Sequence, residues 1–274
     1  MLNPYIKEND FQKLCRKTVL KSVIDQILDA TDERLLKLAQ PAIFIHSMFT
    51  FKEMYKKIFT TKEKRTILYA GHSLGEYSAL CAANVFDIET GLRLVIERMM
   101  VMEQAAKERP GCMLAINRFG VENYRCSDTI DMAAMNSKNQ IVLSGLSEDM
   151  KHERSKLDSS YKVTPLKVAG PFHSRYMQSA AKDFNEKLNQ IDFNYACVKS
   201  VFSNVTGNLQ QADDLKENLT NQLISPVKWR HIIDGCLQID KNAEFIEIGH
   251  NKVLSRLNPG LNYLNLGSNC HHFT

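Results

Sequence analysis

The sequence contains none of the short motifs that mark the commonest nucleotide and metal sites. GxGxxG, P-loop and HExxH patterns are all absent from its 274 residues, so the usual signatures of dinucleotide, nucleoside triphosphate and zinc-protease sites are missing. The seven cysteines include no CxxC pair, and their number is odd. The pattern argues against a disulfide framework and against a bound metal, and it favours a reducing cytoplasm.

Long apolar runs and a strong charge of one sign are also missing. The longest membrane-like stretch, residues 41–51, is interrupted by His46 and falls short of the roughly 20 residues that span a bilayer. The first eight residues include no apolar segment typical of a signal peptide. Lys and Arg number 35 against 31 Asp and Glu, a formal charge of +4. We therefore expect neither a nucleic-acid partner nor a membrane partner.

The composition that remains is ordinary for a globular protein, with 44% apolar and 24% charged residues, and the length fits one large domain or two. Hydrophobic spacing predicts helices and one buried parallel strand in the first half of the chain. The helices are predicted over residues 10–29, 40–59, 74–83 and 88–108, and the strand over 66–70. Asp87 is the expected N-cap of the fourth helix.

The pattern changes after Pro110. Strands are predicted over 112–118, within 129–145 and over 161–169, with a helix over 147–157. This β–ββ–α–β order predicts a small α+β subdomain inserted in a larger α/β domain. From His173 onward the chain returns to long helices and short strands, two of which are predicted over 200–204 and 244–248.

Residues 71–75, Gly-His-Ser-Leu-Gly, match GxSxG between a predicted strand and a predicted helix. This is the context of a nucleophile elbow, in which a sharp turn exposes the oxygen of Ser73. Glycines at 71 and 75 leave room for the turn, and the Leu74 N–H can face a developing oxyanion. The alternative is a chance match in a loop that contains glycine and serine.

A serine nucleophile needs a base, and eight histidines are available. His173 follows a predicted strand at the junction between the small and large units, where clefts form. His72 is adjacent to Ser73, so its side chain should point away from the serine oxygen. Four other candidates lie on helices or near the C-terminus: His46, His152, His271 and His272. Spacing alone leaves this choice open.

Arg98 lies on a largely apolar helix. Its neighbours three and four residues away are Leu94, Val95, Val101 and Met102, and none is a carboxylate. A buried guanidinium must be paired. Arg98 is therefore a surface arginine, a member of a structural ion pair with a distant acid, or a receptor for a substrate carboxylate.

Six ordered stretches resemble the malonyl-CoA:acyl-carrier-protein transacylases, a family that includes the acyltransferase domains of polyketide synthases. The elbow and its continuation, residues 71–80, resemble the family's serine segment, and residues 170–177, Gly-Pro-Phe-His-Ser-Arg-Tyr-Met, resemble its catalytic-histidine segment. Arg98 falls where the family keeps its carboxylate-binding arginine. The other matches are residues 40–42, 136–145, 203–207 and 248–254.

The resemblance implies a ping-pong transfer of a malonyl group from CoA, the substrate, to the phosphopantetheine thiol of an acidic acyl carrier protein. Ser73 would be the nucleophile and His173 the base, with no metal and no bound cofactor. Arg98 would clamp the free carboxylate. A main-chain carbonyl near His250 and Asn251 would orient the histidine. The remaining implied substrate-binding residues are Leu74, Gln40, Asn136 and Phe172, the last of which resembles the malonyl-selecting version.

The resemblance also implies a hydrolase-like large α/β domain with a parallel sheet, formed by residues 1–111 and 171–274. Residues 112–170 would form a ferredoxin-like subdomain. The enzyme would act in the cytoplasm, in fatty-acid or polyketide biosynthesis. The family's N-terminal Gly-Gln-Gly-Ser-Gln loop has no counterpart in this sequence, which keeps open a weakly active relative that binds carrier proteins. An acyl hydrolase that clears carrier proteins is a second alternative, although Arg98 argues against it because such relatives typically lose this arginine. A basic cluster before the elbow is a candidate docking site for the carrier: Lys56, Lys57, Lys62, Lys64 and Arg65.

Overall fold

The computed structural model describes residues 38–58, 66–249 and 252–264. The helix predicted over 10–29 lies outside these ranges, as do His250, Asn251 and residues 62–65 of the basic cluster. The side chains of Lys56 and Lys57 are likewise outside the description.

Three helices form the first part of the described chain. They are α1 (Ala39–Ile58), α2 (Leu74–Ala82) and α3 (Ile88–Glu108), close to the predicted positions. The Asp87 side chain accepts a hydrogen bond from the Thr90 N–H at 2.8 Å, so the predicted N-cap of α3 is confirmed. The helix ends at Glu108, two residues before Pro110, because proline cannot continue the backbone hydrogen-bonding pattern.

The small unit is a four-stranded sheet with every neighbouring pair antiparallel, in the order β2-β3-β1-β4. Its strands are β1 (Gly111–Asn117), β2 (Asp131–Ser137), β3 (Gln140–Leu146) and β4 (Lys162–Pro165). A single helix, α4 (Ser147–Ser155), connects β3 to β4. The predicted β–ββ–α–β order is confirmed, although the fourth strand is shorter than its prediction over 161–169.

The rest of the described chain is mainly helical. The helices are α5 (Gln178–Leu188), α6 (Leu215–Asn221), α7 (Trp229–Ile239) and α8 (Val253–Leu257). Short 3-10 turns occur at Val121–Asn123, Arg175–Met177 and Tyr195–Ser200. None of the helices in the described part of the chain is long and apolar enough to cross a membrane.

The strands predicted at 66–70, 200–204 and 244–248 are reduced to isolated bridges in the described residues, with two of these bridges in 200–204. Tyr69 and Val201 form one parallel bridge, and Phe245 pairs with Tyr263 in another. The Tyr69 N–H donates to the Ser200 carbonyl at 2.8 Å, and the Phe202 N–H donates to the Tyr69 carbonyl at 2.9 Å. The segment before the elbow therefore runs beside the segment that follows Ser200, which brings two distant motifs together.

Buried apolar side chains form three clusters. The first joins α1, α2, α3 and α5, the second lies between one face of the small sheet and α7, and the third lies under α4 on the opposite face. Phe172 packs against both the first and the second clusters. The segment that carries His173 therefore lies at the boundary between the helical unit and the small sheet, where Ser73 also lies.

Candidate active site

Ser73 occupies a sharply bent backbone position immediately before α2. Its φ is 52° and its ψ is −109°, values that an L-residue adopts only under strain. Gly71 makes the bend possible, because a Cβ at that position would overlap the backbone carbonyl of Gly75. Gly75 itself was expected to supply room, but a Cβ added there would lie more than 4 Å from the described atoms, so only the first glycine is sterically required.

Asn204 holds the bent turn from the neighbouring segment. Its side-chain oxygen accepts from the Ser73 N–H at 2.7 Å, and its amide nitrogen donates to the Gly71 carbonyl at 2.7 Å. Asn204 is fully buried, so these bonds form away from competing water. The two contacts replace the hydrogen bonds that the strained elbow cannot make within itself.

Ser73 and His173 form the central pair of the site. The Oγ of Ser73 lies 2.7 Å from Nε2 of His173, and Nδ1 of His173 lies 2.7 Å from the backbone carbonyl oxygen of Gln222. A carbonyl only accepts, so Nδ1 carries the hydrogen and the neutral ring leaves Nε2 free to accept the serine proton. The geometry is that of a nucleophile and its general base.

The orienting carbonyl corrects the sequence prediction. That prediction placed the carbonyl in the turn with His250 and Asn251, which lie outside the described residues. The acceptor is instead Gln222, at the end of α6 and 49 residues after His173. No local pattern marked this polar residue, because its role depends on how the α6 segment packs against the elbow.

His173 is held as a neutral imidazole. Burial, together with the nearby positive charge of Arg98, lowers the pKa of His173 to about 3. The residue is 5% exposed, with a φ of 57°, a left-handed conformation that is uncommon for histidine. The strained backbone and the carbonyl partner together fix the ring against Ser73.

Arg98 contacts the same serine. Its Nη2 donates to Ser73 Oγ at 3.0 Å, and its Nη1 donates to the side-chain oxygen of Gln40 at 2.5 Å. Arg98 is 2% exposed, so the surface alternative is excluded. Burial lowers its pKa, and no ion pair joins its guanidinium to a carboxylate within residues 38–58, 66–249 and 252–264.

A buried carboxyl group lies beneath this triad of side chains. Glu76, in the first turn of α2, is 1% exposed. One of its oxygens accepts from the Asn204 N–H at 3.3 Å and from the Gln210 amide at 2.9 Å. The other accepts from the Gln222 amide at 2.5 Å. Burial raises the pKa of Glu76 to about 7.

His72 points away from the serine oxygen, as the sequence predicted. Its Nε2 lies 2.7 Å from the side-chain oxygen of Asn136 on β2, and its ring packs at 5.8 Å from that of Trp229. Asn136 in turn donates to Gln140 at 2.8 Å. Asn136 therefore meets the elbow through His72 rather than through Ser73 directly.

Leu74 and Phe172 are two further residues that the sequence predicted to bind the substrate. Leu74 is the first residue of α2, where backbone N–H groups have no partner within the helix. Phe172 is half-buried directly before His173 and packs against the first and second apolar clusters.

Sequence reasoning missed Gln222, Gln210 and the structural part played by Asn204 and Glu76. Both Asn204 and Glu76 lie inside the motifs quoted above, 203–207 and 71–80, so a signal for them existed. Gln222 and Gln210 lie in stretches without any motif. Their burial, at 0% exposure for both, was the missing information.

Comparison with known proteins places the chain in a family. Residues 22–266 match the model of the acyl transferase domain. The chain therefore belongs to the acyl transferase domain family.

Individual relatives are more specific. The chain is 34% identical over 228 residues to the polyketide biosynthesis malonyl CoA-acyl carrier protein transacylase BaeC of Bacillus velezensis, covering 81% of this chain and 76% of BaeC. The structure of a Synechocystis malonyl-CoA:ACP transacylase superimposes with a TM-score of 0.79 at 28% identity, covering 97% of this chain and 91% of that one. A malonyl-transacylase in complex with a type II polyketide synthase acyl-carrier protein superimposes with a TM-score of 0.74 at 27% identity, over 88% and 81% of the two chains.

Proposed function

We propose that this chain transfers a malonyl group from CoA to the phosphopantetheine thiol of an acyl carrier protein, through an ester on Ser73. One observation carries the proposal: His173 Nε2 and Arg98 Nη2 approach the same serine oxygen, at 2.7 and 3.0 Å. The first is a base for the nucleophile, and the second is a receptor for a carboxylate beside it. The named relatives are malonyl-CoA:acyl-carrier-protein transacylases, which agrees with this chemistry.

In the first half-reaction, Ser73 Oγ attacks the thioester carbonyl while its proton moves to His173 Nε2. The tetrahedral intermediate collapses with cleavage of the C–S bond, and the CoA sulfur takes the proton back from Nε2. A malonyl ester remains on Ser73. Because Nδ1 donates to the Gln222 carbonyl, the imidazolium that forms in between is stabilised and kept in orientation.

Arg98 supplies selectivity for the acyl group. A guanidinium binds a carboxylate through two parallel hydrogen bonds, and this one is buried at 2% exposure. The malonyl carboxylate lies one methylene from the attacked carbonyl. A guanidinium within hydrogen-bonding distance of the nucleophile is therefore well placed to hold that carboxylate during attack.

The oxyanion of the intermediate is assigned to the N-terminus of α2. The Leu74 N–H follows the nucleophile directly, and the helix start favours negative charge. In the second half-reaction, the carrier's phosphopantetheine thiol gives its proton to His173 and attacks the ester. The serine oxygen leaves with that proton. No metal or bound cofactor takes part in this scheme.

The same proposal covers the finer architecture and the surroundings of the site. Residues 1–111 and 171–274 would form the hydrolase-like domain, and 112–170 the ferredoxin-like subdomain, whose antiparallel order β2-β3-β1-β4 with α4 supports that assignment. Gln40, Asn136 and Phe172 would line the acyl site. The cytoplasm is the proposed location.

Intact-mass spectrometry after mixing with malonyl-CoA tests the proposal. The wild-type chain should gain one malonyl group and lose it when a phosphopantetheinylated carrier protein is added, with the group appearing on the carrier. Ser73→Ala should gain none. Ser78→Ala, on the same helix and without a described hydrogen bond, is the matched control and should load normally.

The other outcomes identify the alternatives. Release of free malonate without transfer to the carrier would indicate an acyl hydrolase. A wild-type chain that binds the carrier but gains no malonyl group would indicate a non-catalytic relative. A malonyl adduct on Ser73→Ala would refute the choice of nucleophile.

A further inference from the structure

Two buried groups of opposite charge are separated by a single amide. Glu76 is 1% exposed, Arg98 is 2% exposed, and Gln222 between them is fully buried. The amide nitrogen of Gln222 donates to Glu76 Oε2 at 2.5 Å, and its oxygen accepts from Arg98 Nη2 at 3.3 Å. The carboxyl group and the guanidinium are therefore connected through both ends of one side chain.

The direction of that amide follows from its partners. Its nitrogen faces the Glu76 carboxylate and also donates to the Ser73 carbonyl at 3.1 Å. The carbonyl can only accept, and so can the carboxyl group when Glu76 is ionised. The nitrogen must lie on that side, which leaves the amide oxygen facing the guanidinium. The Asn204 N–H and the Gln210 amide also donate to Glu76, so three segments supply hydrogens to one carboxyl group.

We propose that Glu76 is a positioning residue: through the Gln222 amide it fixes the guanidinium of Arg98 in the orientation that receives the carboxylate of the acyl group. This inference rests on the proposed function and deepens it, because it names what sets the preference for an acyl group with a free carboxylate. The Glu76 side chain bonds to Asn204, Gln210 and Gln222 and not to the Ser73 hydroxyl; only its backbone N–H meets Ser73, at the carbonyl.

Hydrogen bonds through Gln222, and no direct ion pair in the described part of the chain, connect Glu76 to Arg98. Burial is the largest influence on the pKa of Glu76 and on that of Arg98, and the attraction between the two charges is the smallest influence named for either group. The hydrogen bonds through Gln222 act at contact distance. A small change in the plane of the guanidinium is costly, since a misplacement of about 1 Å can reduce rates by on the order of 10².

Glu76→Gln tests the inference. The variant keeps the shape of the side chain but replaces one acceptor oxygen with an NH2 donor. The backbone N–H of Asn204 cannot reverse, so the remaining oxygen is expected to stay on that side and the new NH2 to face Gln222. Gln222 must then reverse its amide or lose a bond. At about pH 8, above the pKa of about 7, the ratio of kcat/KM for malonyl-CoA to that for acetyl-CoA should fall about tenfold. Isothermal titration with free malonate should show a weakening of similar size.

Glu153→Gln is the matched control. Glu153 is also 1% exposed and also accepts from three neighbours, Tyr124, Ser127 and Lys156, but it lies in the small unit on α4. This variant should lower the melting temperature without changing the malonyl-to-acetyl ratio. It separates the cost of losing a buried carboxylate from an effect on Arg98.

Gln222→Met is the second variant, because it removes the amide while keeping the backbone carbonyl that holds His173. It should reproduce the lower ratio even if Glu76→Gln fails to fold. An unchanged ratio in either folded variant overturns the inference. A higher ratio also overturns it, because Glu76 would then act only as a negative charge that competes with the carboxylate of the acyl group. If the wild type loads no malonyl group, the proposed function fails, and the malonate affinities of the same variants decide this inference independently.

Discussion

Arg98 donates a hydrogen bond to the Oγ of Ser73 across 3.0 Å, so the nucleophile and the cationic group of the site are in direct contact. A carboxylate that binds this guanidinium must lie within a few ångströms of the serine oxygen. A malonyl group meets that condition, because a single methylene separates its carboxylate from its thioester carbonyl. The contact therefore limits the distance between the carboxylate of the acyl group and the carbonyl that Ser73 attacks.

Arg98→Ala should remove the distinction between malonyl-CoA and acetyl-CoA. A site built around a polar substrate group rejects an analogue that lacks it by on the order of 10⁴, since the buried guanidinium would be left without a partner. We expect the ratio of kcat/KM for the two thioesters to fall by on the order of 10²–10⁴. Arg98→Lys should restore only part of it, because an ammonium cannot form the forked contact.

The control for this prediction is Arg93→Ala, which removes an exposed arginine from the same helix. It should leave the ratio unchanged. If Arg98→Ala lowers the activity with both thioesters equally and also lowers the melting temperature, the arginine has only a structural role. Its proposed role as a receptor for the malonyl carboxylate is then refuted.

Gly71→Ala should prevent the elbow from forming. The added methyl would overlap the Gly75 carbonyl, and backbone cannot move aside as a flexible side chain would. We expect a loss of several kcal/mol in the free energy of unfolding, of the order of the largest single-residue effects, with no malonyl loading. Urea unfolding and intact-mass spectrometry measure the two quantities.

Gly75→Ala provides the comparison, because a Cβ there meets open space among the described residues. It should fold with a stability close to that of the wild type. Equal stabilities for Gly71→Ala and the wild type would show that the close approach at Gly71 is not a constraint.

The sequence predicted those parts of the fold whose cause is local. The elbow depends on five consecutive residues, and α3 depends on an apolar stripe with Asp87 before it and Arg109-Pro110 after it. The small sheet depends on short alternating segments. Each of these features can be read from neighbouring positions, and the structure places them close to their predicted bounds.

The parts that were not predicted depend on contacts across long separations. Gln222 lies 149 residues from Ser73, and its four bonds to the site use its backbone carbonyl, its amide nitrogen twice and its amide oxygen. A glutamine in a polar segment gives no signal of burial. The strands expected at 66–70 and 200–204 fail for a related reason, since strand length depends on the neighbouring segments rather than on the apolar run itself.

The lowered pKa of His173 makes a prediction about stability. Burial and the Arg98 charge reduce the pKa from its ordinary value of 6.5 to about 3 in the folded chain. Below pH 6.5 the unfolded chain therefore takes up a proton at this position while the folded chain does not. The contribution of His173 to stability is fully present above about pH 6.5 and is lost as the pH falls from there toward 3.

His173→Asn isolates this contribution, and asparagine is chosen because it tolerates the left-handed backbone at φ 57°. Between about pH 6.5 and pH 4, the free energy of unfolding measured in urea should decrease more steeply for the wild type than for the variant, because only the wild type carries the imidazole. Malonyl loading at neutral pH should fall by on the order of 10²–10⁴, the usual contribution of a general base. Ser174 is buried beside it, so Ser174→Ala reports the cost of disturbing the same turn without removing the base, and should keep the wild-type slope with pH. Parallel slopes for the wild type and His173→Asn would show that the imidazole is not held neutral by its surroundings.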